Sequence, residues 1–126
     1  MFIDGTGDGK LVVARMRLIN GYQGYGGAMY IVTATTIDII SCVFENNVAY
    51  SSSGGQYGGG ALFIFQGNTV TIADSIFQNN QSPRGDDIYL YSSATLLLAA
   101  PTEPGMSLKY EEIYIHEDGS KYSICR

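Results

Sequence analysis

TIDIISCVFENN, residues 36–47, and TVTIADSIFQNN, residues 69–80, are one segment written twice, and their spacing decides how the whole chain is read. The offset of 33 sets Ile37 on Val70, Ile39 on Ile72, Phe44 on Phe77, and Asn46-Asn47 on Asn79-Asn80. It also carries Gly26-Gly27-Ala28-Met29-Tyr30-Ile31 onto Gly59-Gly60-Ala61-Leu62-Phe63-Ile64. A shorter offset of 26 places Gly85-Asp86-Asp87-Ile88-Tyr89-Leu90 on that last segment and Thr95–Leu98 on Thr69–Ile72. Run backwards from Ile37, the same 26 reaches Leu11, with Leu18 under Phe44 and Asn20 under Asn46. The basic period is therefore 26, and one copy carries seven extra residues within Ser51–Tyr57. Self-similarity at such a period marks a stacked-repeat fold.

Each copy holds two short apolar runs rich in Ile, Val, Tyr, Phe and Thr, bounded by Gly and Asn, which reads as strands. The expected fold is all-β: a right-handed parallel β-helix of three to four rungs, about 15 Å tall at the spacing of paired strands. Leucine-rich repeats have a similar period, but their LxxLxL pattern is absent. Two parts are expected, repeats over residues 1–100 and a Pro/Gly linker with a β-hairpin over 101–126. Gly-Asp-Asp in place of Gly-Gly-Ala marks the copy at Gly85 as the last full rung.

FxxN, at Phe44–Asn47 and Phe77–Asn80, and GGA followed by an apolar residue, at Gly26–Met29 and Gly59–Leu62, resemble repeats of chlamydial polymorphic outer-membrane proteins. They are similar also to pectin-lyase-like β-helices of bacterial and algal surface proteins. The resemblance covers residues 10–98. It implies a surface or adhesive role and an extracellular or surface-associated location, and for the second group polysaccharide binding or cleavage.

Composition bounds the function. The 126 residues carry a net charge of −5, with no Lys/Arg stripe to neutralise phosphates, so nucleic acid is not an expected partner. No apolar run reaches the roughly 18 residues that span a bilayer. The start, MFIDGTGDGK, shows no basic region followed by an apolar one, so no secretory signal is visible: it was removed, or this is a piece of a longer chain, or the protein is delivered some other way. Cys42 shares a column with Met16 and Ser75 and reads as a buried free thiol; a bond to Cys125 is the alternative. Asp4 and Asp8 have the spacing of half a calcium loop, but Arg15 stands where its bidentate Glu belongs, so a turn is the preferred reading over a metal site. No phosphate-cradling glycine loop and no Cys/His cluster is visible, so no cofactor is expected.

Strand alternation gives the candidate site. Met29, Ile31, Leu62, Ile64, Ile88 and Leu90 are apolar in every copy and point inward. Tyr30, Phe63 and Tyr89 then point outward, followed two residues on by Val32, Phe65 and Tyr91. Five of these six are aromatic, an outward ladder that is either covered by the chain's own tail or a docking face. A second docking face is expected in the tail. Asp118-Gly119 suits a hairpin turn, and pairing Glu117 with Ser120 sets Ile115 opposite Tyr122 and Ile113 opposite Ile124, leaving Tyr114 and the lone His116 on the polar face. The two asparagine columns, Asn20/Asn46/Asn79 and Asn47/Asn80, are expected to bond amide to amide at a bend.

Two functions compete. The leading one is a non-catalytic scaffold that docks onto partner proteins or onto the rest of a longer β-helix, because both end rungs would expose unpaired backbone. The alternative is a carbohydrate-binding, less readily carbohydrate-cleaving, protein using Tyr30, Phe63, Phe65, Tyr89 and Tyr91 as stacking platforms. Cleavage needs paired acidic groups on one face. The outward column Val12, Asp38, Thr71, Leu97 supplies a single acid.

Overall fold

A computed structural model describes residues 1–3, 9–32, 36–50, 57–99, 110, 112–115 and 119–124. Among these the regular elements are all strands. In chain order they are β1 (Phe2–Ile3), β2 (Lys10–Ala14), β3 (Arg17–Ile19) and β4 (Tyr22–Gln23); β5 (Met29–Ile31), β6 (Thr36–Ile40), β7 (Val43–Glu45) and β8 (Val48–Ala49); β9 (Leu62–Ile64), β10 (Thr69–Ala73) and β11 (Ile76–Gln78); β12 (Ile88–Leu90) and β13 (Thr95–Leu98); and β14 (Ile113–Ile115) and β15 (Lys121–Ile124).

Every pairing is parallel, and the strands sort into sheets by their place in each passage of the chain. One sheet has the order β1-β5-β9-β12-β14 and a second β15-β13-β10-β6-β2, with smaller sheets β11-β7-β3 and β4-β8. The registers match the sequence offsets. Thr69–Ala73 lies on Thr36–Ile40, Phe77 on Phe44, Leu11 on Ile37, Leu18 on Phe44, and Tyr89 on Phe63. Parallel pairing in equal register is what turns a likeness in sequence into columns of side chains.

Those columns build the core. Met29, Leu62 and Ile88 are buried in one, Ile31, Ile64 and Leu90 in another, and Ile37, Val70 and Leu96 in a third. Phe44 and Phe77 stack at 4.6 Å with planes only 5° apart, an aromatic pair that adds about 0.5–1.5 kcal/mol to its area burial. Cys42 is a free, buried thiol, as expected, and its backbone N–H donates to the Ser75 hydroxyl at 3.1 Å. Cys125, Asp4 and Asp8 lie outside the described residues.

The corners need backbone that bends the left-handed way. Asn20, Asn46 and Asn79 take φ values of 58°, 56° and 54° and are exposed. Their column thus serves through backbone conformation, which asparagine tolerates better than most residues, rather than through stacked amides. Asn47 and Asn80 do stack. The Asn47 side-chain amide donates to Asn80 Oδ1 and to the Leu18 carbonyl, and its own oxygen accepts from Gly21 N–H. Asn80 in turn donates to the Phe44 carbonyl and to Asp87 Oδ1, so a buried carboxylate ends the amide column. Gly27 and Gly60 are required where backbones touch, because a Cβ on either would collide with the carbonyl of the passage beyond, Gly60 and Asp86 respectively.

The tail departs from expectation in two ways. Asp87 and Ile88 N–H groups both donate to the Glu112 carbonyl at 3.2 Å, and β14 pairs on β12, so the copy at Gly85 is not the last. Nor is there an antiparallel hairpin between the tail strands. Ile113, Tyr114 and Ile115 pair with Ile88, Tyr89 and Leu90, whereas Lys121–Ile124 pairs with Thr95–Leu98 in a different sheet. Ile113 is therefore not opposite Ile124, and Ile115 is not opposite Tyr122. The reason is that Ile113 and Ile115 extend two core columns already set by Ile88 and Leu90 and pack on that core. A free hairpin would leave the same apolar face uncovered. The expected turn residues Glu117 and Asp118, with His116, lie outside the described residues.

The buried amide column sets a stability prediction. Asn80→Ala removes the bonds that Asn80 makes with Asn47 and Asp87, and a buried polar atom that loses its hydrogen bond costs about 1–3 kcal/mol. Asn80→Asp, which sets a second carboxylate beside Asp87, is expected to be worse at pH 7 than at pH 4 in urea titrations. Equal stability at the two pH values would contradict this account of the column.

Candidate functional site

The sequence-derived aromatics do assemble, on the face of the first sheet opposite the core. Strand alternation sends Met29, Leu62 and Ile88 inward and leaves Tyr30, Phe63 and Tyr89 in register on the other side. Tyr30 meets Phe63 edge-on at 5.2 Å and 87°. Phe63 stacks on Tyr89 at 5.1 Å and 8°, and Tyr89 on Tyr114 at 5.0 Å and 22°. Beside them Phe65 stacks on Tyr91 at 5.2 Å and 7°. Beyond Tyr30, β1 pairs on β5 with Phe2 opposite Tyr30 along the backbone.

The ladder is not bare. Phe63 and Tyr89 are buried, Tyr89 to 0 % exposure, while Tyr30, Phe65 and Tyr91 are half-buried. Two rings that offset arithmetic does not find supply the cover. Tyr57 stands across the column, at 76° to Phe63, 80° to Tyr89 and 81° to Tyr91. Tyr25 packs against Tyr30, Tyr57 and Phe63. Both tyrosines directly precede a glycine pair or triplet, Tyr25-Gly26-Gly27 and Tyr57-Gly58-Gly59-Gly60, and that shared context was the available signal. Tyr114 was legible too: Ile113-Tyr114-Ile115 copies the pattern of Ile88-Tyr89-Leu90, but the favourable Asp-Gly turn drew it into a hairpin.

Of the expected hairpin docking face, Ile113 and Ile115 are half-buried against the chain's own core. Tyr122 and Ile124 sit in register on Leu96 and Leu98 of β13. The expected tail contribution to covering the ladder comes instead from Tyr114, whose hydroxyl accepts from the Arg84 guanidinium at 3.2 Å. Tyr25, Tyr30, Tyr57, Phe63, Phe65 and Tyr91 leave between them an open cleft of about 250 Å3.

Packing of this kind changes the phenols. Burial, and then the Tyr114 phenol beside it, push the Tyr89 hydroxyl up to about 12. Burial and then Tyr25 raise Tyr30 as well. A deprotonated ring in either place would carry its charge into an apolar stack.

Acidic groups among the described residues are engaged elsewhere. Asp38 pairs with Lys10 at 2.7 Å, and Glu45 with Arg17 at 3.4 Å. Glu112 accepts from Gly85 N–H at 2.6 Å, and Asp86 from Ser82 N–H at 3.1 Å. Among the described residues no three His, Cys, Asp or Glu side chains gather as a metal site, and no helix is long and apolar enough to cross a membrane.

In comparisons with known proteins, no family profile, no curated protein and no solved structure matches the chain.

Tyr89 gives the site a pH signature. Its phenol lies above the ordinary value near 10 in the folded state, so the fold favours the neutral ring. That contribution is whole below pH about 10 and is lost as pH rises towards about 12. Thermal melts across this range should fall more steeply for wild type than for Tyr89→Phe. An alkaline profile unchanged by the substitution would show that Tyr89 is not the group concerned.

Proposed function

We propose that this chain is a right-handed parallel β-helix acting as a non-catalytic scaffold, which associates through the open end formed by β1–β4. The order of the sheets supports the architecture. The chain passes from the first sheet to the second, to the third and back, with parallel pairing at every return, and parallel crossovers of this kind are overwhelmingly right-handed. The FxxN and GGA motifs, at the corners where Asn47, Asn80, Gly27 and Gly60 meet their neighbours, support a likeness to surface-protein β-helices.

One observation carries the functional part. Among the described residues part of the core is left uncovered at the β2–β3 edge, although Val13 of β2 is buried. Leu11 is 38 % exposed, although Ile37, Val70 and Leu96 in the same column are at 0 %. Met16 is 40 % exposed where its counterpart Cys42 is at 1 %. Val12, Ile19 and Tyr22 are exposed beside them, and a recess of about 400 Å3 opens there along Leu18, Ile19, Tyr22 and Ala28. β1, β2 and β3 are also the outermost strands of their sheets, so backbone donors and acceptors lie beside the apolar side chains. An edge of this composition recruits another strand.

The carbohydrate-binding alternative draws less support from the ladder. A sugar stacks on a ring face, and the faces of Phe63 and Tyr89 are taken by each other, by Tyr114 and by the edge of Tyr57. Catalysis is disfavoured by the engagement of Asp38, Glu45, Asp86 and Glu112 in ion pairs or backbone bonds.

Sedimentation over a concentration series tests the scaffold reading. Wild type is expected to associate, and a Leu11→Lys/Ile19→Lys variant to remain monomeric with an unchanged circular dichroism spectrum. A wild-type chain that stays monomeric and melts cooperatively would count against it.

A further inference from the structure

The cleft in front of the first sheet is walled by Tyr25, Tyr30, Tyr57, Phe63, Phe65 and Tyr91, with no formally charged group among them. Several of their planes cross steeply, while Phe65 and Tyr91 stack on each other. Tyr25 meets Tyr57 at 78°, Tyr57 meets Tyr91 at 81°, and Tyr30 meets Phe63 at 87°. Rings set at right angles cannot close face to face as the stacked ladder behind them does. An aromatic face is electron-rich, so such a wall attracts positive charge. The chain's net charge of −5 has the same sense. This face already holds one cation, the Arg84 guanidinium, 5.4 Å from the centre of the Tyr114 ring, within the roughly 6 Å over which a ring attracts a cation.

We propose that this cleft binds a quaternary ammonium group of the choline class. The choice among cations follows from the wall. A primary ammonium entering it would shed tightly held water, and a guanidinium would leave its N–H donors unsatisfied, with no carboxylate among the described lining residues to replace the lost bonds. A quaternary ammonium has no N–H to satisfy, spreads its charge over methyl groups and packs those methyls against rings. The volume of about 250 Å3 admits such a headgroup together with part of its chain. An attached carboxylate or phosphate meets no cationic side chain among the described lining residues, so it stays at the solvent end. The site lies on the outer face of β5, β9 and β12, away from the open β2–β3 edge, and is independent of the association proposed there.

Choline and its neutral isostere 3,3-dimethyl-1-butanol, titrated against the full chain with tyrosine fluorescence as the readout, test the proposal. Choline should saturate, and the isostere should bind at least about tenfold more weakly, a difference of about 1.4 kcal/mol. Tyr57→Leu and Tyr25→Leu, each of which removes a ring from the mouth while leaving the core columns in place, should weaken choline by a similar factor, and Tyr57→Phe should retain it. Thermal melts of all three confirm folding. Cosedimentation with phosphatidylcholine vesicles, run in parallel, distinguishes a lipid-borne headgroup from a soluble ligand. Equal binding of the two compounds, no saturable binding of choline, or full binding by folded Tyr57→Leu and Tyr25→Leu would each overturn the assignment.

Discussion

Parallel hydrogen bonding in equal register is the constraint on which everything else in this molecule rests. It requires residues 26 or 33 apart to share a position, as Ile37 and Leu11 do, or Ile37 and Val70. Once that holds, one choice of side chain is felt several times over. A column accepts apolar residues throughout or polar residues that bond one another, and little between. Asn47 and Asn80 are instructive here: buried among hydrophobic columns, each amide is satisfied by the next and by backbone carbonyls. A lone asparagine at either place would be a liability of about the size of a lost hydrogen bond plus its desolvation.

The same constraint explains why aromatic residues concentrate on one outer face. Stacked strands bring equivalent rings to about 5 Å, as Phe63, Tyr89 and Tyr114 show, and that separation suits offset stacking. The ladder therefore forms a second apolar layer outside the first sheet, with Tyr25 and Tyr57 laid across it. Its interior members are structural, Tyr89 being wholly buried. Only its margin, where the crossing rings leave space, has the openness that recognition needs. A structural ladder and a binding cleft can thus share the same residues without conflict.

The two ends of the stack are unequal. At β14 the chain supplies Ile113 and Ile115, which extend the core columns of Ile88 and Leu90, and β15 pairs in register on β13. At β2 and β3 the columns end in Leu11, Met16 and Leu18 with nothing laid over them among the described residues. An edge of that kind is the usual weak point of parallel sheets. There a partner strand would find backbone bonds and apolar side chains already aligned.

Which residues superpose, and which of them face the core, were readable in the letters alone. Strand alternation and two constant offsets leave Met29, Leu62 and Ile88 little choice once Ile37 and Val70 are matched. Asn47 and Asn80 were legible as a stacked column for the same reason. What stacking with Asp87 and the exposure of Asn46 and Asn79 added was visible only in three dimensions, since left-handed backbone at a corner has no letter of its own. The tail was decided wholly by tertiary structure. Asp118-Gly119 favours a hairpin locally, yet Ile113 and Ile115 gain more by extending columns that already exist than by pairing with Ile124 and Tyr122. The cover over the ladder had the same origin. Tyr25 and Tyr57 fall outside the offsets, and only the packing of separate passages brings their rings to Phe63.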